Sequence, residues 1–393
     1  MSADKKVPDI RFKGFSEEWV ENNLGNLIEI RSAARVHKEQ WTEVGVPFFR
    51  TSDVVSIYKG QENNKAYISH TVYRGLSEKI GKVTKDDLLI TGGGSIGIPY
   101  LVPNDEPLYF KDADLLWLKN NKKFNGYFLY SFFFSEPFKK HIKSISHTGT
   151  IAHYTIEQAK TTPINTCSDK EQTQIGNYFQ KLDNLINQHQ QKHDKLSNIK
   201  KTMLEKMFPK QGETVPKIRF KGFSEEWSEK GLGEVFTYER PDNYIVKSSV
   251  YSDEYQTPVL TANKGFLLGY THEKSTYNDP SIIFDDFTLD CKFVDFPYMV
   301  KSSAIKILTI KNSTKYDLIF AFYLLNTAQI EVMGHARHYI SIVQNTKVSI
   351  PKKNEQIAIG NYFQKLDELI NQHQQQITKL NHIKQACLSK MFI

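Results

Sequence analysis

Cysteine is scarce in this chain. There are three in 393 residues, Cys167, Cys291 and Cys387, far apart and odd in number. With no Cys-x-x-Cys pair, they argue against a disulfide framework or a thiolate metal site and fit a reducing compartment. Long apolar runs are also missing. The longest stretches, Tyr127 to Phe134 and Ile319 to Leu325, fall far short of the roughly 20 residues that cross a bilayer. The opening Met1-Ser2-Ala3-Asp4-Lys5-Lys6 lacks an apolar signal core, so the expectation is a soluble, cytoplasmic protein with no membrane partner. Charge is not one-sided: the formal net charge is +7, with no basic tail. That excess is compatible with a polyanionic partner without selecting one. Catalytic signatures are absent as well. There is no Walker motif, no His-Glu-x-x-His zinc site, and no Asn-Pro-Pro-Phe-like or Asp-Pro-Pro-Tyr-like tetrad of amino-group DNA methyltransferases. Asp86-Asp87 and Asp285-Asp286 could hold magnesium in principle, but they adjoin apolar runs at expected strand ends and no Glu-x-Lys nuclease core follows them.

What the chain does have is aromatic residues and repetition. It carries 25 Phe and 20 Tyr, and apolar residues make up 39%, enough for packed cores and for flat rings on which bases can stack. Pro8 to Trp19 reads PDIRFKGFSEEW and Pro216 to Trp227 reads PKIRFKGFSEEW, eleven of twelve positions alike at an offset of 208. A second, longer repeat has a different offset, 184: EQTQIGNYFQKLDNLINQHQQKHDKLSNIKKTMLEKMF over 171–208 and EQIAIGNYFQKLDELINQHQQQITKLNHIKQACLSKMF over 355–392. A weaker match places Gly149, His153 and Tyr154 against Gly334, His338 and Tyr339. Each half is therefore a short lead-in motif, a variable body and a long repeat, and the bodies differ in length by about 24 residues. Fixed ends with divergent middles suit two modules that share a scaffold and read different targets.

The long repeats place Ile175, Phe179, Leu182, Ile186, His189, His193 and Leu196, and correspondingly Ile359, Phe363, Leu366, Ile370, His373, Ile377 and Leu380, at spacings of three and four. This stripe asks for another helix along its length. No proline interrupts either run, and Pro209 follows the first. Helices of about 35 residues extend about 50 Å. The simplest arrangement pairs them antiparallel as a coiled coil, with Phe179, Leu182, Ile186, Leu196, Phe363, Leu366, Ile370 and Leu380 serving the seam and partner docking. Packing of each helix onto its own body is the alternative. His189 and His373 read as seam positions that set register rather than as metal ligands.

The bodies alternate short strands, Gly/Asn turns and single helices. Strands are expected at Pro47 to Phe49, Asp87 to Thr91, Asp114 to Lys119, Ser281 to Asp285 and Ala304 to Ile310, with helices over Phe124 to Phe134 and Tyr316 to Leu325. The fold class is mixed α/β: two similar globular domains, a pseudo-twofold internal repeat, and two long spacing helices. The domain boundaries are 1–160 for the first recognition domain, 165–210 for the central helix, 211–348 for the second domain and 349–393 for the C-terminal helix. The loop Thr91 to Gly97, TGGGSIG, lacks a P-loop ending and dinucleotide spacing. It reads as a turn, and Gly94 and Ser95 could bring backbone N–H groups to a DNA phosphate. The other candidates for DNA contact are Lys139, Lys140, Lys143, His147, Thr148 and Thr150 in the first half, and Asn263, Lys264, Lys274, Arg337 and His338 in the second. Lysine and histidine pair with phosphates, whereas Arg, Thr, Asn and His can also read base edges. For any single residue a solvated basic edge is the plain alternative.

The layout resembles the specificity subunit of a Type I restriction-modification system. The resemblance covers nearly the whole chain. It rests on Glu171-Gln172 through Leu182-Asp183 and Ile186, on Glu355-Gln356 through Leu366-Asp367 and Ile370, on Pro163 and Pro351 ahead of them, and on the lead-in motif at Phe12 to Trp19 and again at Phe220, Gly222, Phe223 and Trp227. It implies that each body is a target recognition domain reading half of a bipartite, asymmetric site in double-stranded DNA, with the paired helices as the ruler between them. It implies docking of two methyltransferase subunits that bind S-adenosylmethionine, flip an adenine out of the duplex and methylate it. Two motor and nuclease subunits dependent on ATP and magnesium would join them. The chain itself would bind no cofactor or metal and catalyse nothing. Two other readings remain: a two-module adaptor that does not touch DNA, and a stand-alone nuclease or methyltransferase.

Overall fold

The computed structural model describes residues 6–145, 153–263, 265–330 and 339–393. The chain divides into two compact units: residues 1–189 together with 375–393, and residues 190–374.

In the first unit, the lead-in motif runs into β1 (Val20–Asn23), α1 (Leu24–Leu27) and β2 (Glu29–Arg31), followed by β3 (Trp41–Thr42) and β4 (Val46–Phe49). Then come α2 (Thr51–Lys59), β5 (Ala66–Ile68), α3 (His70–Ile80), and the strands β6 (Leu88–Thr91), β7 (Pro99–Leu101), β8 (Tyr109–Phe110) and β9 (Leu115–Lys119). Three helices, α4 (Gly126–Phe132), α5 (Glu136–Ile145) and α6 (Ile156–Lys160), lead through β10 (Pro163–Thr166) into the long α7 (Asp169–Met207). The helix limits follow local chemistry. Ser69 and Asn125 accept the N–H groups of Val72 and Phe128 at the starts of α3 and α4, and α2 stops at Gly60, whose φ is +63°. One sheet has the order β2-β9-β6-β7, antiparallel throughout, with Leu89 opposite Trp117. A second, β3-β5-β4-β8, contains the parallel pair β4 and β8. β6 is buried at every position and β9 at all but its last residue, as suits strands covered on both faces.

The second unit repeats this plan. It contains β11 (Ser228–Gly231), α8 (Leu232–Val235), β12 (Phe236–Glu239), β13 (Thr257–Leu260), β14 (Leu267–Thr271), β15 (Ser281–Asp285), β16 (Cys291–Val294), β17 (Met299–Val300) and β18 (Ile305–Ile310). After them come α9 (Leu318–Thr327), capped by Asp317, then β19 (Lys347–Ile350) and the start of α10 (Lys353–Lys390). Its main sheet, β12-β18-β15-β16, copies the order of the first, and β13 pairs parallel with β17 as β4 does with β8. β1 with β10 and β11 with β19 form matching two-stranded closures. The strands and single helices expected from sequence are present within a few residues. The length difference lies largely between β4 and β6, where α2 and α3 stand; the corresponding stretch from β13 to β15 has no helix among its described residues.

The duplicated sequences meet each other inside each unit. Arg11 of the lead-in motif donates Nε and Nη2 to both oxygens of Glu171 at 2.6 and 2.7 Å, and Arg219 grips Glu355 at the same two distances. The Glu171 side chain is only 1% exposed. Hydrogen bonding to the carboxylate raises the pKa of both guanidiniums further. The neighbouring glutamines tie to backbone: Gln172 to Cys167 and Asn125, Gln356 to Pro351, Lys315 and Asp317. Gly176 lies against the capped start of α4, where a Cβ would come within 2.0 Å of Asn125 Oδ1; Gly360 sits likewise beneath α9.

The helices pair antiparallel in both units. In the first, Asp183 meets Lys384 at 2.5 Å and Tyr178 lies 3.7 Å from Cys387; in the second, Lys200 meets Asp367 at 2.5 Å. The opening turns of each helix also pack on the adjoining body. Phe179, Leu182, Phe363 and Leu366 are buried in the body cores, while Ile186, Leu196, Ile370 and Leu380 are half-buried on the helix pair. Mirrored aromatic clusters close the two cores: Phe392 against Trp19, Phe128 and Phe179, and Phe208 against Trp227, Phe320 and Phe363. Among the described residues, no helix is long and apolar enough to cross a membrane.

Candidate nucleic-acid interface

In the first unit, three sequence candidates occupy one face of α5. Phe138 and Ile142 turn inward, and Lys139, Lys140 and Lys143 are exposed on the outer side. This follows from the helical period: positions 139, 140 and 143 share a face that 138, 142 and 145 do not. α5 packs on the glycine loop that follows β6. A Cβ on Gly97 would lie 3.1 Å from the Phe138 ring, so a side chain there would push the helix away.

Thr91 holds that loop closed. Its hydroxyl donates to the Ser95 carbonyl and accepts from Ile98 N–H at 2.9 Å, while Gly97 N–H reaches the Thr91 carbonyl at 2.8 Å. Gly94, with φ +70°, and Ser95 are left exposed at the tip. The loop base is fixed on its other side by Tyr154, whose N–H donates to the Gly92 carbonyl at 2.8 Å and whose ring is buried. Tyr154 OH lies 2.6 Å from Thr162 Oγ1, and His141 Nε2 of α5 lies 3.2 Å from the same hydroxyl. Burial holds the His141 pKa below its usual value. Lys139, Lys140, Lys143, Gly94 and Ser95 thus stand on two packed elements with a common foundation. His147, Thr148 and Thr150 lie outside the described residues.

The second unit anchors the matching tyrosine by different chemistry. Tyr339 N–H donates to Asp286 Oδ1 at 2.7 Å, and Asp286 Oδ2 lies 3.3 Å from Lys306, both side chains almost fully buried. This buried lysine and carboxylate, which have no counterpart among the described residues of the first unit, escaped the sequence reading; the available signal was a lysine inside the apolar run of β18. Asn263 sits exposed in the turn before β14, accepting from Gly265 N–H, and Lys274 is exposed beyond the other end of that strand. The structure does not bring these two together. Lys264, Arg337 and His338 lie outside the described residues.

The paired aspartates are occupied structurally. Asp87 accepts from Trp117 Nε1, Asn120 N–H and both donors of Thr84, and Asp285 accepts from Phe287 and Thr288 N–H. Among the described residues no three His, Cys, Asp or Glu side chains gather as metal ligands would.

Two similar α/β bodies, each clamped to a long helix by the same Arg–Glu pair and each presenting different exposed residues, describe a duplicated recognition protein. The family model for the Type I restriction modification DNA specificity domain matches residues 16–198 and again 224–382, and the chain belongs to that family. Specificity subunits of such systems are non-catalytic. A Type I restriction enzyme specificity subunit of Escherichia coli is 43% identical over 136 residues, a third of either chain. One from Methanocaldococcus jannaschii is 23% identical over 380 residues, covering 90% of this chain and 88% of that one. The crystal structure of the S subunit of a Type I restriction-modification system from M. genitalium superposes with a TM-score of 0.64 at 17% identity, covering 98% of this chain and 99% of that one; at that identity it speaks for the fold alone.

Proposed function

We propose that each unit reads one half of a bipartite DNA site and that the chain positions methyltransferase and motor/nuclease subunits on it, in the cytoplasm. The observation that carries this reading is the duplication of the clamps and closures around bodies whose exposed surfaces differ. Equal scaffolds offer equivalent contacts to two copies of one partner, and unequal surfaces suit two different half-sites. In the first unit, α5 and the glycine loop supply phosphate contacts: lysines neutralise backbone charge and exposed N–H groups approach it. The paired helices set the unspecified spacer, which must bring the readers about one helical turn, roughly 34–36 Å, or a related distance apart. S-adenosylmethionine, ATP and magnesium belong to the partner subunits in this scheme.

The test is copurification with the products of neighbouring genes, followed by mapping of methylated adenines. A bipartite motif that appears only when this chain is present is the expected result. Methylation independent of the chain, or a continuous motif, would overturn the proposal.

A further inference from the structure

The second unit contains a groove of about 1080 Å³ between the end of α7, the end of α9 and β19. That exceeds the usual upper range for small-molecule clefts, about 1,000 Å³. Its floor is apolar, with Leu204, Phe208, Leu324, Val348 and Ile370. Its walls carry Lys200, Lys201, Lys206, Lys210, Lys217 and Lys347 against three carboxylates, Glu205, Glu229 and Asp367. Among the described residues, the one ion pair these nine groups make joins Lys200 to Asp367. Five lysines and two glutamates remain, so the rim is cationic over an apolar base.

The corresponding corner of the first unit is built differently among its described residues. Asn125 and Asp317 cap equivalent helices, which places Phe134 where the second unit has Asn326. Phe134 stacks on Tyr58 of α2 at 5.7 Å, and Lys384, the counterpart of Lys200, lies over the Phe134 ring. The second unit has no counterpart of α2 among its described residues, and Asn326 lines the open groove instead.

We propose that this groove docks an acidic, amphipathic segment of a protein partner, one copy per chain. Apolar side chains at helical spacing would cover the floor while carboxylates meet the lysine rim, the arrangement by which amphipathic helices enter hydrophobic grooves. Charge complementarity selects an acidic segment over a basic one. One site per chain is expected because, among the described residues, Phe134 and α2 stand in the first unit where Asn326 leaves the second unit open. The proposal does not depend on DNA reading.

The test uses the full chain and a fluorescein-labelled peptide of about 15 residues, on the order of 22 Å as a helix, with leucines at three- and four-residue spacing and glutamates elsewhere. A lysine-for-glutamate version is the control. Anisotropy should show saturable, salt-sensitive binding of one acidic peptide per chain and none of the basic one. The triple variant Lys206→Glu/Lys210→Glu/Lys347→Glu should weaken binding tenfold or more, and Asn326→Phe should abolish it by mimicking the first unit. Lys181→Glu on the outer face of α7 should change nothing. Thermal melting checks the fold of each variant; should Asn326→Phe misfold, the surface triple variant decides. Absence of saturable binding, two equivalent sites, binding indifferent to the triple variant, or displacement of the peptide by a short DNA duplex would overturn the proposal.

Discussion

At the scale of single residues, the two Arg–Glu clamps carry the strongest expectation. Each is bidentate and nearly dry, so removing one partner leaves an uncompensated charge inside, at a cost of about 3–5 kcal/mol. Arg219→Ala should therefore lower the denaturant midpoint of the second unit while leaving that of the first near its original value; equal losses in both would contradict the two-unit division. His141 makes a pH prediction. Burial lowers its folded pKa, so as pH falls below about 6.5 the unfolded chain takes up a proton first. Its contribution is complete above that pH and disappears as pH falls through the depressed folded value. Following the His141 ring signal by NMR checks the direction: a midpoint at or above 6.5 would be the wrong sign.

At the scale of elements, α5 is the part of the candidate interface whose chemistry is most explicit. Each lysine that neutralises a phosphate adds about 0.9 to the slope of log binding constant against log salt. Lys139→Ala/Lys140→Ala/Lys143→Ala should weaken duplex binding and flatten that slope by about 0.9 for every phosphate left without its lysine. An unchanged slope would remove α5 from the interface. Elements were also where the sequence was most readable. The buried strands β6 and β9, the capped helices α4 and α9 and the long helical stripes all carry local patterns strong enough to place them. What could not be read was the destination of the repeated residues. Arg11 and Glu171 are 160 positions apart, and no periodicity links a lead-in arginine to a helix glutamate. The two are spent on each other. Lys306 was hidden for the converse reason: one charged residue in an apolar strand is uninformative until its carboxylate is found across the sheet.

At the scale of the whole molecule, two bodies built on the same sheet order should be exchangeable without loss of the frame. Replacing residues 20–160 with the body of a relative should change one half of the methylated motif and leave the other as it was; a change in both halves would refute independent reading. The same architecture bears on how the chain comes to be folded. Phe208, which completes the aromatic cluster of the second unit, precedes that body in the chain, so its socket forms around a residue already made. Phe392, which completes the first, is synthesised about 200 residues after Phe179. At about 5–20 residues per second, the ring of Trp19, Phe128 and Phe179 must wait on the order of 10–40 s for its plug. During that interval the nascent first body presents an open aromatic socket to its surroundings, and its final lock arrives only with the last turns of α10.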